Sequence, residues 1–333
     1  MFHRAVSSSA TRSLCPVLTG AVLAIVASVS AAAETQFPSR PVRVVVPLTA
    51  ASGADIAGRI VGRQLQEMWK QTVVVDNRPG AGGQIGTQIA VRAAPDGHTL
   101  LVQSSSHAVN PAIYKSLPYD STKDLVDVAC LGTTPYVMIT APQGPYRPLK
   151  ALIDAAKAKP GELTFASAGI GTSTHITGEY LAQSAGIKLI HVPFKGSAEA
   201  IGDVAAGRVV FYMAPISTAI GLIKDNRLAV LGVASPKRIT MLPSVPTIAE
   251  QGLPGFEMDV WFGAWAPAAT PRAVVQKVAS DIRAAQQSRE VREQYAKLGI
   301  EPSSLTLGEF AKFVRKEMAK YQQVVRKANI DPM

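Results

Sequence analysis

Thr49 to Asp55 (TAASGAD) is the stretch of this chain best suited to bind something. Small residues here separate a β-branched run, Val44 to Val46, from an apolar pattern at Ile56, Ile60, Val61, Leu65 and Met68. The spacing predicts a strand, a tight loop and a helix. Such a loop leaves backbone N–H groups at the helix start unpaired and unscreened by bulky side chains, an arrangement that favours an anion. The same residues also suit an ordinary turn in which Ser52 or Asp55 caps the helix, and this stretch alone leaves both open.

A second loop of the same kind follows the strand predicted at Leu163 to Ala166: Ser167, Ala168, Gly169, Ile170, Gly171, Thr172, Ser173 and Thr174 lead into a helix marked by Ile176, Tyr180 and Leu181. It lacks the lysine of a P-loop and the third glycine of a dinucleotide fingerprint, so no nucleotide cofactor is expected. Ser104 to Ser106 place more hydroxyls after the strand Thr99 to Gln103. A hydrolase would need a nucleophile, a base and an orienting acid within reach. The candidates are His98, His107, His175 and His191, none in a catalytic motif. His107 and His175 each follow a hydroxyl-rich loop, which fits either a cleft wall or a helix-start residue bonded to backbone. The histidines look dispersed, with no paired ligand spacing on a helix, so no metal site is expected.

The elements that must position these loops alternate. After the first helix come strand Thr72 to Val75, the turn from Asp76 to Gly83 (DNRPGAGG), a helix from about Gln84 to Ala93, and the third strand. From Tyr136 the alternation restarts: strands at Tyr136 to Thr140, Leu189 to Phe194, Val209 to Met213 and Leu228 to Val233, with helices at Pro148 to Lys157 and Ala198 to Ala206. A short helix is expected at Pro246 to Gln251 and an aromatic strand at Phe256 to Trp265. The last helices begin at Thr270-Pro271 and at a Thr306/Glu309 capping box. Alternation of this kind calls for a mainly parallel α/β sheet with its ligand crevice at the strands' carboxyl ends.

Residues 1–33 read as a secretory signal peptide: Arg4 and Arg12 without an acid, an apolar run from Val17 to Val29, and Ala31-Ala32-Ala33 for cleavage. The 333-residue chain carries a net charge of +10, and removing the leader takes away two of its 34 basic residues. The remaining excess is scattered and not interleaved with aromatics, which argues against nucleic acid and leaves steering of small anions. Cys130 is then the one cysteine, with no internal disulfide partner and a buried, inert thiol expected.

Several blocks resemble a known family: VRVVVPLTAASGADIAGR, DNRPGAGGQIGTQIAVRAAPDGHTLL, HAVNPAIYKSLPYD, FASAGIGTSTHITGEYL, HVPFKGSAEAIGDVAAGRV, LPSVPTIAEQGLPGFE and APAATP. Together they look like the Bug family, the extracytoplasmic solute receptors of tripartite tricarboxylate transporters. The resemblance implies a two-lobed periplasmic binding protein, a Venus flytrap of type II-like topology hinged on crossing strands, with one lobe at 34–134 and 257–333 and the other at 135–256. It implies capture of a small organic carboxylate without chemistry, delivery to the membrane permease subunits of such a transporter, and action as a monomer in the periplasm. Carried onto this sequence, the ligand-binding residues are Thr49, Ala51, Ser52, Gly53, Asp55, Ser105, Gly171, Thr172, Ser173, Lys195 and Gly196, with hinges near Gly132 and Phe256 to Trp265. Asp55 is expected to shape the first loop through N–H groups and not to pair with a cation. The sequence departs from the family at Ala51-Ser52, usually a glycine pair, and at Ala214, often aspartate. The rival readings are a secreted hydrolase using a histidine with Ser104 to Ser106 or Ser173, and a ligand-sensing partner of a membrane sensor kinase.

Overall fold

The computed structural model describes residues 37–332, so the expected signal peptide lies outside the described residues. Phe37 to Ser39, with a cis Phe37–Pro38 peptide bond, belong to a separate unit; the rest of the description concerns the unit from Arg40 onward.

That unit is built on one mixed sheet of nine strands. Val42–Val46 (β1) pairs in parallel with Val73–Asn77 (β2) and with Thr99–Ser104 (β3). Antiparallel to β3 runs Asp259–Pro267 (β9), which pairs in turn with the first part of a sixteen-residue strand, Leu125–Thr140 (β4). β4 changes partners between Pro135, opposite Asp259, and Tyr136, opposite Pro215. Beyond that point it pairs with Phe211–Pro215 (β7) and Ala229–Val233 (β8), and β7 continues in parallel to Thr164–Ser167 (β5), which pairs with Ile190–Pro193 (β6). The order is β2-β1-β3-β9-β4-β7-β5-β6, with β8 on β4.

The helices follow the strands as the alternation requires. Gly53–Trp69 (α1), Gln84–Val91 (α2) and Ser106–Ile113 (α3) belong to the first half of the sheet. Leu149–Ala158 (α4), Ser173–Ala185 (α5), Ser197–Ala205 (α6) and Ile216–Lys224 (α7) belong to the second, and Arg272–Gln287 (α8), Arg289–Leu298 (α9) and Leu307–Lys327 (α10) close the chain. α10 starts from the Thr306/Glu309 capping box and buries Phe310, Val314, Met318, Tyr321, Val324 and Val325. A side chain fully buried in this way contributes about 1.5–3 kcal/mol. Trp261 and Trp265 of β9 are fully buried against Phe310, with ring centroids at 6.1 and 5.7 Å, and Trp261 Nε1 donates to Glu317 Oε2 at 3.1 Å. The second half has its own core, including Val137, Ile139, Ile201, Tyr212 and Val233.

Some elements differ from the sequence reading. Residues 125–135 extend the strand expected only at Tyr136 to Thr140, because their partner β9 lies far along the chain and leaves no local trace. α3, α7 and α9 were not expected, and the helix expected at Pro246 to Gln251 is only a 3-10 turn, Ala249–Gln251. The strand expected at Val209 to Met213 runs instead over Phe211–Pro215. Cys130 is buried, and burial raises its thiol pKa above the ordinary range.

Candidate binding site

The site lies where helix starts face one another at the carboxyl ends of β1, β3 and β5. Ser52 caps α1, its Oγ accepting from Asp55 N at 3.3 Å. Asp55 Oδ2 accepts from Ala51 N at 2.9 Å, which holds Ala51 at a left-handed φ of 60°. An alanine in that region costs about 1–2 kcal/mol that a glycine would not, so the departure at Ala51 is absorbed by the Asp55 bond. Asp55 Oδ1 accepts from Asn77 Nδ2 at 3.0 Å and from Arg59 Nε at 2.9 Å, and Asn77 Nδ2 also donates to Leu48 O at 3.0 Å. Asp55 does pair with a cation, contrary to expectation: Arg59 lies one helical turn on and neutralises the carboxylate from behind the loop.

The second loop is held without formal charge. Thr172 caps α5, its Oγ1 accepting from His175 N at 3.4 Å and donating to Gly169 O at 2.6 Å. Thr174 Oγ1 accepts from Ala168 N at 3.0 Å. Ser106, at the start of α3, reaches across from the first half of the sheet: its Oγ accepts from Ser173 N at 3.0 Å and from Ser104 Oγ at 3.0 Å. Tyr136 OH donates to Ser173 Oγ at 2.8 Å. Gly196 precedes α6 and packs so closely on Thr49 that a Cβ there would fall 2.0 Å from Thr49 Oγ1.

Between these helix starts is a cavity of about 30 Å³, walled by hydroxyls, backbone and the apolar Val260 and Phe262, with no charged side chain in its lining. That is room for a group of carboxylate size. Thr49 Oγ1 is buried there with no hydrogen-bond partner among the described residues. A wider compartment of about 470 Å³ adjoins it, sharing Leu48, Ala168 and Thr172 and lined further out by Pro79, Tyr114, Phe194 and Lys195.

Of the residues expected at the site, Thr49, Ser52, Gly53, Thr172, Ser173 and Gly196 line the inner cavity and Lys195 the outer compartment. Ala51, Asp55, Ser105 and Gly171 do not. Ala51 points outward and exposed, Asp55 braces the loop from below, and Ser105 is fully buried. Gly171 lies beneath Tyr114, whose OH would stand 2.2 Å from a Cβ at that position. Ser104, Ser106, Thr174, Ser197 and Phe262 line the cavity and were not among the expected ligand-binding residues. The hydroxyl runs signalled all of these except Ser197 and Phe262. Asn110 and Tyr114, which lie in one of the family blocks but were given no role, join the two halves: Asn110 Nδ2 donates to Gly171 O at 3.1 Å and Gly82 O at 3.3 Å, and Tyr114 OH donates to Ile170 O at 3.3 Å. Ala214 belongs to the second core, so the departure there concerns packing.

Neither His107 nor His191 is poised as a general base. His107 is buried and stacked on Trp265 at 4.1 Å, and burial holds its pKa at about 3. Among the described residues a serine and a histidine meet at Ser167 Oγ and His191 Nε2, 2.7 Å apart, where burial first and His175 second bring the His191 pKa down to about 3, too low for a general base near neutral pH. The histidines are also less dispersed than the sequence suggested, since His175 and His191 stack at 4.1 Å.

A family model described as "Tripartite tricarboxylate transporter family receptor" matches residues 57–330. The chain belongs to this family. Among its relatives, BugT of Bordetella pertussis is 36% identical over 292 residues, covering 87% of this chain and 90% of that one. Two solved structures from Rhodopseudomonas palustris are 28% identical: Rpa4515 with adipate, with a TM-score of 0.86 and coverage of 89% of this chain and 100% of that one, and MatC with bound malate, at 0.83, 87% and 100%. This receptor therefore has the two-lobed α/β fold of periplasmic binding proteins, and β4 is the strand that pairs with both halves of the sheet.

Proposed function

We propose that the receptor captures a small organic carboxylate in the cavity between the starts of α1, α3, α5 and α6 and presents it to the permease subunits of a tripartite transporter. The observation that carries this is the convergence of helix starts on a cavity with hydroxyls and no charged side chain. The positive ends of helix dipoles and the partnerless Thr49 hydroxyl favour an anion there. Similarity to receptors solved with adipate and malate supports the same ligand class. The chain acts without chemistry, as a monomer in the periplasm after loss of residues 1–33. Its lobes divide at 134/135 and 256/257, close to where β4 changes partners.

The test is a melting-temperature panel of mono-, di- and tricarboxylates, with nicotinate and aromatic acids. A ligand at 100 times its dissociation constant stabilises by about 2.7 kcal/mol, and the expected result is such a shift with at least one carboxylate and none with matched neutral amides. An unmoved melting temperature across the panel overturns the proposal.

A further inference from the structure

We infer that His175, Glu179 and His191 form a binding site for one borderline transition-metal ion, of the class of Zn²⁺, beside the second ligand loop. His175 and Glu179 lie one turn apart on α5, with Nε2 and Oε1 3.7 Å apart, and His191 comes from β6. One donor atom from each of the three lies within 4.8 Å of the other two. Tetrahedral ligation at about 2.0–2.2 Å from nitrogen and oxygen puts donors about 3.3–3.6 Å apart, so the helix pair is already spaced for it and the third donor closes by about 1 Å. The imidazoles stack at 4.1 Å and 18°, which runs their in-plane lone pairs side by side. Convergence on an ion takes a turn of the His191 ring, which also stacks on Phe165 at 4.8 Å, so ligation replaces that ring contact.

The donor set fixes the metal class. Two imidazoles and one carboxylate suit Zn²⁺, Ni²⁺ or Cu²⁺ over the all-oxygen preferences of Mg²⁺ and Ca²⁺, and they leave a fourth position open. An outer shell is in place as well. Ser167 Oγ, which accepts from Gly169 N at 3.1 Å, meets His191 Nε2 at 2.7 Å and so leaves Nδ1 of His191 for the ion, whereas the Gly171 N–H that donates toward His175 Nδ1 at 3.5 Å gives way when His175 ligates through Nε2 and its proton moves to Nδ1. The Ser167 partner orients a ligating imidazole, and it ties the ion to the start of the loop from Ser167 to Thr172.

The experiment uses the exported chain without a polyhistidine tag, titrated calorimetrically with Zn²⁺ alone. The expected result is one equivalent bound, a raised melting temperature reversed by chelator, and loss of that equivalent in Glu179→Gln and in His191→Ala. Ser167→Ala should weaken binding by about 10–100-fold. Co²⁺ added to the unmodified protein gives a reading that needs no variant, with intense visible bands expected for a low-coordinate nitrogen and oxygen site. No saturable binding of Zn²⁺, Ni²⁺ or Cu²⁺ overturns the inference. So does a Co²⁺ spectrum unchanged from the aquo ion, or an equivalent of Zn²⁺ retained when His175→Ala and His191→Ala are combined.

Discussion

The two loops that face each other across the cavity do the same job with different chemistry. The first, around Thr49 to Gly53, is locked by a charge: the Asp55 carboxylate gathers Ala51 N, Asn77 Nδ2 and Arg59 Nε. The second, from Gly169 to Thr174, is locked by neutral groups, Thr172 and Thr174 hydroxyls on backbone, and it is joined to the other half of the sheet by Asn110 and Tyr114. Charge beneath the first loop is tolerable because Arg59 offsets it behind the helix start, leaving the cavity to backbone dipoles. A loop that carries an alanine at a φ of 60° needs a strong local hold. The other gets its left-handed residues as glycine, with Gly171 at 78°, and hydroxyls suffice.

The largest expected effect comes from breaking the second loop's contact across the cleft. Gly171→Val places a β-branched residue at a left-handed φ, costing about 1–2 kcal/mol, and drives it into Tyr114. A carboxylate identified in the melting panel should bind at least about 100-fold more weakly, which corresponds to about 2.7 kcal/mol. Adding Tyr114→Ala should restore the steric part and not the backbone part. Unchanged calorimetric affinity in Gly171→Val would show that the loop binds without its close contact to Tyr114.

Charge at the first loop can be removed almost isosterically. Asp55→Asn leaves one acceptor oxygen facing three donors and turns an amide toward one of them, so stability should fall by about 1.5–3 kcal/mol in urea unfolding. A loss below about 0.5 kcal/mol would mean that Arg59 and Asn77 hold the loop without the carboxylate, and the contrast between the loops would collapse.

How far the sequence showed this site depends on the range of the contacts. Both loops were legible because strand, small residues, cap and helix lie within one short stretch, and Ser52 and Thr172 cap as their residue types predict. Asp55 was read as part of the ligand cradle because type and place alone do not show that Arg59, four residues on, turns it away. Asn110 and Tyr114 stood in a family block without a readable role, since their partners Gly171 and Ile170 lie far along the chain and are met only when the two halves of the sheet come together. The helical pair His175 and Glu179, four residues apart, was missed where no paired ligand spacing was read on a helix, and it becomes a cluster only when β6 brings His191 beside it. The first part of β4 was hidden for the same reason, because its partner β9 is read more than a hundred residues later.

The smallest effect sharpens the comparison at equivalent positions. Ser52→Ala and Thr172→Ala each remove a helix N-cap whose hydroxyl accepts from the N–H three residues on, at 3.3 and 3.4 Å. Each should lose about 1 kcal/mol of stability. Their effects on affinity should differ. Ser52 stands beside a carboxylate that keeps the loop in shape after its hydroxyl is gone, whereas Thr172 Oγ1 also donates to Gly169 O and lies 2.9 Å from Thr174 Oγ1, so its loss loosens the loop itself. Calorimetric titration should show Thr172→Ala weaker than Ser52→Ala by about 0.5–1.5 kcal/mol, the value of one neutral hydrogen bond. Equal affinities in the two variants would mean that the neutral loop is as rigid as the charged one and that the hydroxyls contribute only as caps.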